Sequence, residues 1–252
     1  MEAILKRISE KKQRYDSYKP LHKDLEKNLY NWMRIALTYT SNAIEGNTLS
    51  FQETAQILEK NITVAGKSLT EHLEAINHSK AIELVAQKAK NTQRSDLVLN
   101  DILDIHRCIL RNIDDHNAGA FRQCAVRVMG SRVPRPNYLK VPVLMEEFMA
   151  WLISSSGHVA KIAAEAHLKF VFIHPFVDGN GRTARLLLNL VLLQEGYPLT
   201  FVDQTKRMDY INAIEKALAT EQSEDYYRVI FEAVEQSLDE CLKTIEGEAV
   251  HN

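Results

Sequence analysis

His174-Pro-Phe-Val-Asp-Gly-Asn-Gly-Arg-Thr-Ala-Arg185 is a short polar stretch set between two strongly apolar ones. Upstream, Val159–Ile173 has helical spacing and is mostly apolar on one side. Pro175 ends that helix, because the residue before a proline is pushed out of helical geometry. Downstream, a second helix starts near Gly181-Arg182, runs through Leu186–Leu193 and stops at Gly196, with Pro198 beyond. It is apolar almost all round, apart from Asn189, so it reads as the buried central helix. The fold then follows outward from a helix–loop–helix at the middle of a helical domain.

The flanks agree. Leu25–Ala43 carries Leu29, Trp32, Met33, Ala36 and Leu37 at helical intervals, and Gly46 supplies a stop. Ser50 with Glu53, and Ser68 with Glu71, have the spacing of capping boxes opening Phe51–Glu59 and a long helix to about Lys90. Asn100 or Asp101 opens Ile102–Arg111; Val143–Ile153, Arg207–Ala219 and Glu224–Ile245 are further helices. Gly119–Pro142 differs: Val126 and Val128 alternate with Arg127, Gly130-Ser131 is a turn signal, and Pro134, Pro136 and Pro142 exclude a regular helix. The expected fold is all-α with one short β-hairpin here.

The chain has 252 residues, 45% apolar and 25% charged, with nine glycines and six prolines. That composition suits a soluble helical domain and argues against long disordered tracts. A net charge of −2 argues against a nucleic-acid partner with a broad basic face. No apolar run is long enough to span a bilayer, and the amino terminus lacks the apolar core of a signal peptide, so no membrane association and a cytoplasmic location are expected. Cys108, Cys124 and Cys241 are widely spaced and read as plain reduced thiols.

The loop carries chemistry. Gly179-Asn180-Gly181 leads into a helix amino terminus, where free N–H groups and the positive dipole end make an anion site. Arg182 and Arg185 sit on the first turn, where cations are unfavourable unless a polyanion lies between them. Asp178 offers a hard oxygen that suits Mg2+ bridging phosphates, and His174 titrates near neutrality and can act as a general base. Cradle, metal ligand, cations and base are what phosphoryl or nucleotidyl transfer needs. Each residue alone has an ordinary structural explanation; their concentration within twelve positions does not.

His174–Arg185 matches the HxFx(D/E)GNGRxxR signature and so resembles Fic-domain proteins, with the likeness running from roughly Leu97 to Ile245. Gly119-Ala-Phe-Arg122 and the following Val126-Arg127-Val128 look like that family's flap. The resemblance implies a protein adenylyltransferase. His174 would deprotonate a Ser, Thr or Tyr hydroxyl of a target protein, which would attack the α-phosphate of ATP. Asp178 would hold Mg2+; Gly179, Asn180, Gly181 and Arg182 would form the anion hole; Arg185 would bind the γ-phosphate. The flap would dock the target by strand addition. Arg207 and Tyr210 would line the nucleoside side. The kinase-like Doc branch departs from the GNGR loop and is disfavoured. Dimerisation rests only on analogy with relatives.

A second segment is Ser41-Asn-Ala-Ile-Glu45-Gly46. Glu45 falls in the last turn of its helix, facing the negative end of the dipole, which costs roughly 0.3–1 kcal/mol unless a cation compensates. The segment is similar to the family's inhibitory motif, (S/T)xxxE(G/N). By that resemblance Glu45 pairs with Arg185, in the place of the γ-phosphate, and some relatives use this glutamate in removing AMP. The expected organisation is amino-terminal helices over 1–96 with an inhibitory helix at about 28–46, a core over 97–245 and a tail over 246–252, packed as one unit. Other readings are a de-AMPylating hydrolase, a weakly active ATP-sensing module, or transfer of another nucleotide such as UMP. Gly66-Lys67-Ser68 lacks the preceding glycine and strand of a P-loop, His167 reads as a core residue, and the charge run Lys6–Arg14 as a solvated helical face.

Overall fold

The computed structural model describes residues 1–249, and those residues form ten α-helices and three 3-10 turns, with one long irregular connection over 111–137. In chain order these are α1 (Glu2–Ser17), α2 (Lys23–Ile44), α3 (Phe51–Lys60), α4 (Leu69–Asn91), α5 (Leu99–Leu110), α6 (Val141–Ser154), α7 (Val159–Ile173), α8 (Asn180–Gln194), α9 (Arg207–Thr220) and α10 (Glu224–Ala249). The last helix runs past Ile245, where a tail was expected; residues 250–252 of that tail lie outside the described residues.

Helix α8 is the axis. Twelve of its residues, from Asn180 to Leu192, are buried. It packs on α7 most extensively, and on α4 and α5 from other sides, with α2 crossing near its amino end. A helix buried all round must satisfy its polar residues internally. Asn189, the one break in its apolar run, does so: its amide donates to the carbonyls of Arg185 and Thr200 at 2.8 and 2.9 Å and accepts from the Thr200 N–H at 2.7 Å. What interrupts the run in sequence therefore clamps the strap after α8 to the core.

Both capping boxes form, with Ser50 and Ser68 accepting from the N–H of Glu53 and Glu71. The starts of α5 and α6 differ from expectation. Helix α5 starts at Leu99, and Asp101 caps it from inside the first turn by accepting the Val98 N–H at 2.9 Å. Helix α6 starts at Val141 with Pro142 in its first turn, where a missing N–H costs nothing. The charged stretch of α1 is only partly a solvated face: Arg7 and Lys11 pair with Glu235 and Asp239 of α10.

The expected β-hairpin is absent: among the described residues there is no strand, and 119–137 form an irregular loop. The inside–outside alternation survives, with Val126 and Val128 half-buried around an exposed Arg127, and a turn closes from Ser131 N–H to the Val128 carbonyl at 3.1 Å. No third strand supports a ladder, Pro134 and Pro136 remove donors, and an isolated two-stranded ribbon is marginal. The loop is held by side chains instead. Buried Arg122 donates to the carbonyls of His174, Cys124 and Pro136 at 2.8, 3.0 and 2.6 Å, and Glu215 of α9 accepts from Ser131 and from the Arg132 N–H, both at 2.7 Å.

Leu190 is fully buried on α8. Leu190→Ala should cost about 2–5 kcal/mol, read as a lower urea midpoint with an unchanged slope.

Candidate active site

The turn between α7 and α8 is built by three side chains. His174 closes α7 in a left-handed conformation, φ 50°, with its N–H on the Phe170 carbonyl. Asn180 then bridges back: its side-chain oxygen accepts the Phe176 N–H and its amide donates to the Phe176 carbonyl, both at 2.9 Å. Its side chain, expected at a phosphate, is thus a buried brace of the loop, and only its backbone faces the helix end. Third is His106 of α5, which accepts the Gly119 N–H at Nδ1 and therefore donates from Nε2 to the Asp178 carbonyl, both at 2.9 Å. Its ring stacks on Phe176 at 3.5 Å between centroids. Gly179 is required here: at φ 74° a Cβ would stand 3.1 Å from His106 Nε2.

The helix end so positioned is crowded by one carboxylate. Arg185, nearly buried, donates to Glu45 Oε1 at 2.6 Å, to the Ser41 hydroxyl at 2.8 Å and to the Ser41 carbonyl at 2.9 Å. A Cβ on Gly181 would overlap the same Glu45 oxygen. Glu45 therefore stands over the first turn of α8 as well as on Arg185. Burial alone would push its carboxyl up; the charge and hydrogen bond of Arg185 outweigh that and hold it below the ordinary value. Gly46 follows at φ 101°, turning the chain away, and Arg207 donates to the Ile44 carbonyl at 3.0 Å. Arg207 thus secures the end of α2.

Arg182 points elsewhere, between Glu74 of α4 at 3.0 Å and Asp178 at 3.1 Å. Glu74 also accepts from the Asn47 amide at 2.8 Å, linking the segment after Glu45 to the anion site. Asp178 is two-thirds exposed, and no set of three or more ligating side chains occurs among the described residues. One outward carboxylate fits Mg2+ shared with phosphates and not a closed protein cage.

His174 is pulled down to about 4, first by burial and then by the charge of Arg135. Its ring is neutral at physiological pH. Its Nδ1 lies 3.3 Å from the Val171 carbonyl, so with Nδ1 as donor, Nε2 is left as the acceptor. The structure therefore gathers His174, Asp178, Gly179, Gly181, Arg182, Arg185, Ser41 and Glu45 around one helix end. Val126, Arg127 and Val128 lie on the loop anchored beside it by Arg122. Tyr210 is buried, donating to His167 Nε2 at 2.7 Å while His167 Nδ1 meets the Tyr226 hydroxyl at 2.8 Å. That places Tyr210 in the core behind Arg185, not on an open nucleoside wall. His106, Arg122 and Glu74 escape sequence reasoning as site residues; Arg122 stood in the quoted flap segment, but nothing local marks its bonds.

Residues 96–192 match the Fic/DOC family, a span that includes the whole α7–α8 turn. The protein adenylyltransferase Fic of Drosophila willistoni and that of Drosophila melanogaster are each 40% identical over 205 residues, 80% of this chain and 40% of theirs. Among solved structures, Fic-1 from C. elegans superposes with a TM-score of 0.87 at 29% identity, covering 98% of this chain and 74% of that one. A Fic domain containing signaling protein from Bacteroides thetaiotaomicron shares the fold, with a TM-score of 0.86 at 23% identity over 96% of this chain and 97% of that one. The chain therefore carries a Fic/DOC domain over residues 96–192. It spans about 40% of the length of the curated relatives it matches.

His106→Ala leaves Gly119 N–H and the Asp178 carbonyl without partners, at about 1–3 kcal/mol each, and should lower Tm by roughly 2–4 °C per kcal/mol in a calorimeter. Burial also depresses His106 to about 4 and His167 to about 3, and lowers His78. These rings stay neutral in the fold while the unfolded chain protonates them near their ordinary 6.5. Their contribution is complete above that pH and is lost as pH falls toward the folded values. Thermal unfolding should therefore shift downward between about pH 7 and pH 5; an unchanged midpoint contradicts the assignment.

Proposed function

We propose that this chain is a protein adenylyltransferase that moves AMP from ATP to a Ser, Thr or Tyr hydroxyl of a target protein. The observation that carries this is the helix end itself: a neutral His174, an outward Asp178, a glycine-lined anion site and Arg185 converge there. The identity to curated adenylyltransferases supports it. His174 Nε2 takes the hydroxyl proton as that oxygen bonds to the α-phosphorus, and pyrophosphate leaves with the electron pair of the broken P–O bond. The N–H groups opening α8 and the Arg182 guanidinium stabilise the phosphate charge, and Arg185 holds the γ-phosphate. Asp178 is the residue that would hold Mg2+, which when bound neutralises phosphate charge. The loop at 126–128 docks the target segment in extended form.

Glu45 restrains this activity. It occupies both Arg185 and the space over Gly181, so the γ-phosphate and the carboxylate compete for one guanidinium. Removing a charge-assisted hydrogen bond of about 1.5–3 kcal/mol should release roughly ten- to a hundredfold in rate. With α-labelled ATP and Mg2+, Glu45→Gly should raise self- or target-labelling by that factor, and adding His174→Ala should abolish it. Equal labelling of wild type and Glu45→Gly removes the restraint; persistent labelling without His174 removes the base. One observation favours a second activity at the same site: the Glu45 carboxylate lies near enough to His174 to work against the burial that depresses that ring. It could orient a water for hydrolysis of AMP from a modified target. Release of AMP from such a target, lost in Glu45→Gln, is the mark of that reaction.

A further inference from the structure

The helix that carries Glu45 has a second working end. Lys23 to Met33 of α2 form one wall of a cavity of about 710 Å3. The other walls are Glu83 to Lys90 of α4, Leu193 at the end of α8 with the turn through Leu199, and Tyr15 and Lys19. The volume lies in the range of small-molecule sites. Lys19 donates to the Gly196 carbonyl at 2.9 Å and so ties two of the walling loops together.

The lining has a definite chemistry. Leu21, Leu29, Met33, Ala86, Ala89 and Leu193 give it aliphatic surface. Tyr15, Tyr30 and Tyr197 also line it, and the Lys19 and Lys12 ammonium groups lie 4.4 and 5.1 Å from the ring centroids of Tyr15 and Tyr197, covering a face of those two. Stacking surface for an aromatic ligand is thereby reduced. Lys23, Lys27 and Lys90 stand exposed at the rim, and none is in an ion pair among the described residues. Of the two carboxylates on the wall, Glu83 is held by Arg34 at 2.9 Å, which leaves Glu26 against three lysines. Aliphatic walls under a net positive rim suit a chain with one anionic head.

We propose that this cavity binds an acyl-chain carboxylate, its chain against Leu29, Met33 and Ala86 and its head among Lys23, Lys27 and Lys90. The walls belong to α2, α4 and α8, so the cavity exists only while α2 lies docked on the other two. A ligand that binds only the docked state favours it by its own binding free energy. Occupancy therefore holds Glu45 against Arg185, some six helical turns away along α2 by the pitch of an α-helix at most. The binding stands alone; its regulatory meaning rests on Glu45 acting as the restraint.

Dodecanoate below its micellar concentration, titrated into the full chain in a calorimeter, tests the site. One saturable event per chain is expected. Ala86→Trp, which puts an indole where the acyl chain would lie, and the surface variant Lys23→Glu/Lys27→Glu/Lys90→Glu should each weaken it by about tenfold or more, and dodecan-1-ol should bind about tenfold more weakly than dodecanoate. No saturable binding, binding indifferent to both variants, or equal binding of the alcohol overturns the proposal. Amide hydrogen exchange at Ser41–Glu45 reads the coupling without any enzymatic assay: it should slow with dodecanoate in wild type and stay unchanged in Ala86→Trp. Exchange unmoved by bound dodecanoate overturns the coupling, whatever the labelling of Glu45→Gly shows about transfer.

Discussion

A buried guanidinium must have a counter-charge, and Arg185 is the cation around which this fold closes. It sits at the amino end of the most buried helix, where the dipole adds to the cost of holding it. Ser41 and Glu45 supply the compensation from a helix about 140 residues upstream. The same contact brings the carboxylate over Gly181, so Arg185 is satisfied by the chain itself. Another anionic partner for Arg185 would enter by exchange with Glu45. That constraint explains why an acid is tolerated at the cap of α2, facing the negative end of the helix dipole.

Around that pair the supports are long-range. His106 reaches from α5 to the Asp178 carbonyl, Arg122 from the flap loop to the His174 carbonyl, and Glu74 from α4 to Arg182. Each fixes backbone or a cation and none needs to touch a substrate. The site is therefore rigid on the α7–α8 side and bordered on the other by a loop held at two points, Arg122 and Glu215. A loop without strand pairing of its own presents unpaired backbone, which is what docking an extended segment requires.

The parts legible in sequence were those governed by local physics. Serine–glutamate spacing gave both capping boxes, helical periodicity gave α7 and α8, and a glycine–proline pattern gave the turn between them. Boundaries moved where one residue served two roles: Asp101 caps from inside its helix, and Pro142 opens α6 where it was expected to precede it. The hairpin at 126–128 failed because a two-residue alternation encodes a face, not a partner strand. His106 and Glu74 were invisible because their roles lie in contacts many residues away, with no periodicity to announce them. Asn180 misled for the opposite reason: it stands in the anion loop by position, but its side chain is consumed by Phe176 four residues earlier.

The claim at the centre is that Glu45 and a γ-phosphate compete for Arg185. Calorimetric affinities for ATP and ADP in wild type and Glu45→Gly measure this most directly, since the two nucleotides differ by that phosphate alone. If Arg185 is contested, removing Glu45 tightens ATP well beyond ADP. A gain shared equally by both nucleotides, or by neither, contradicts the competition.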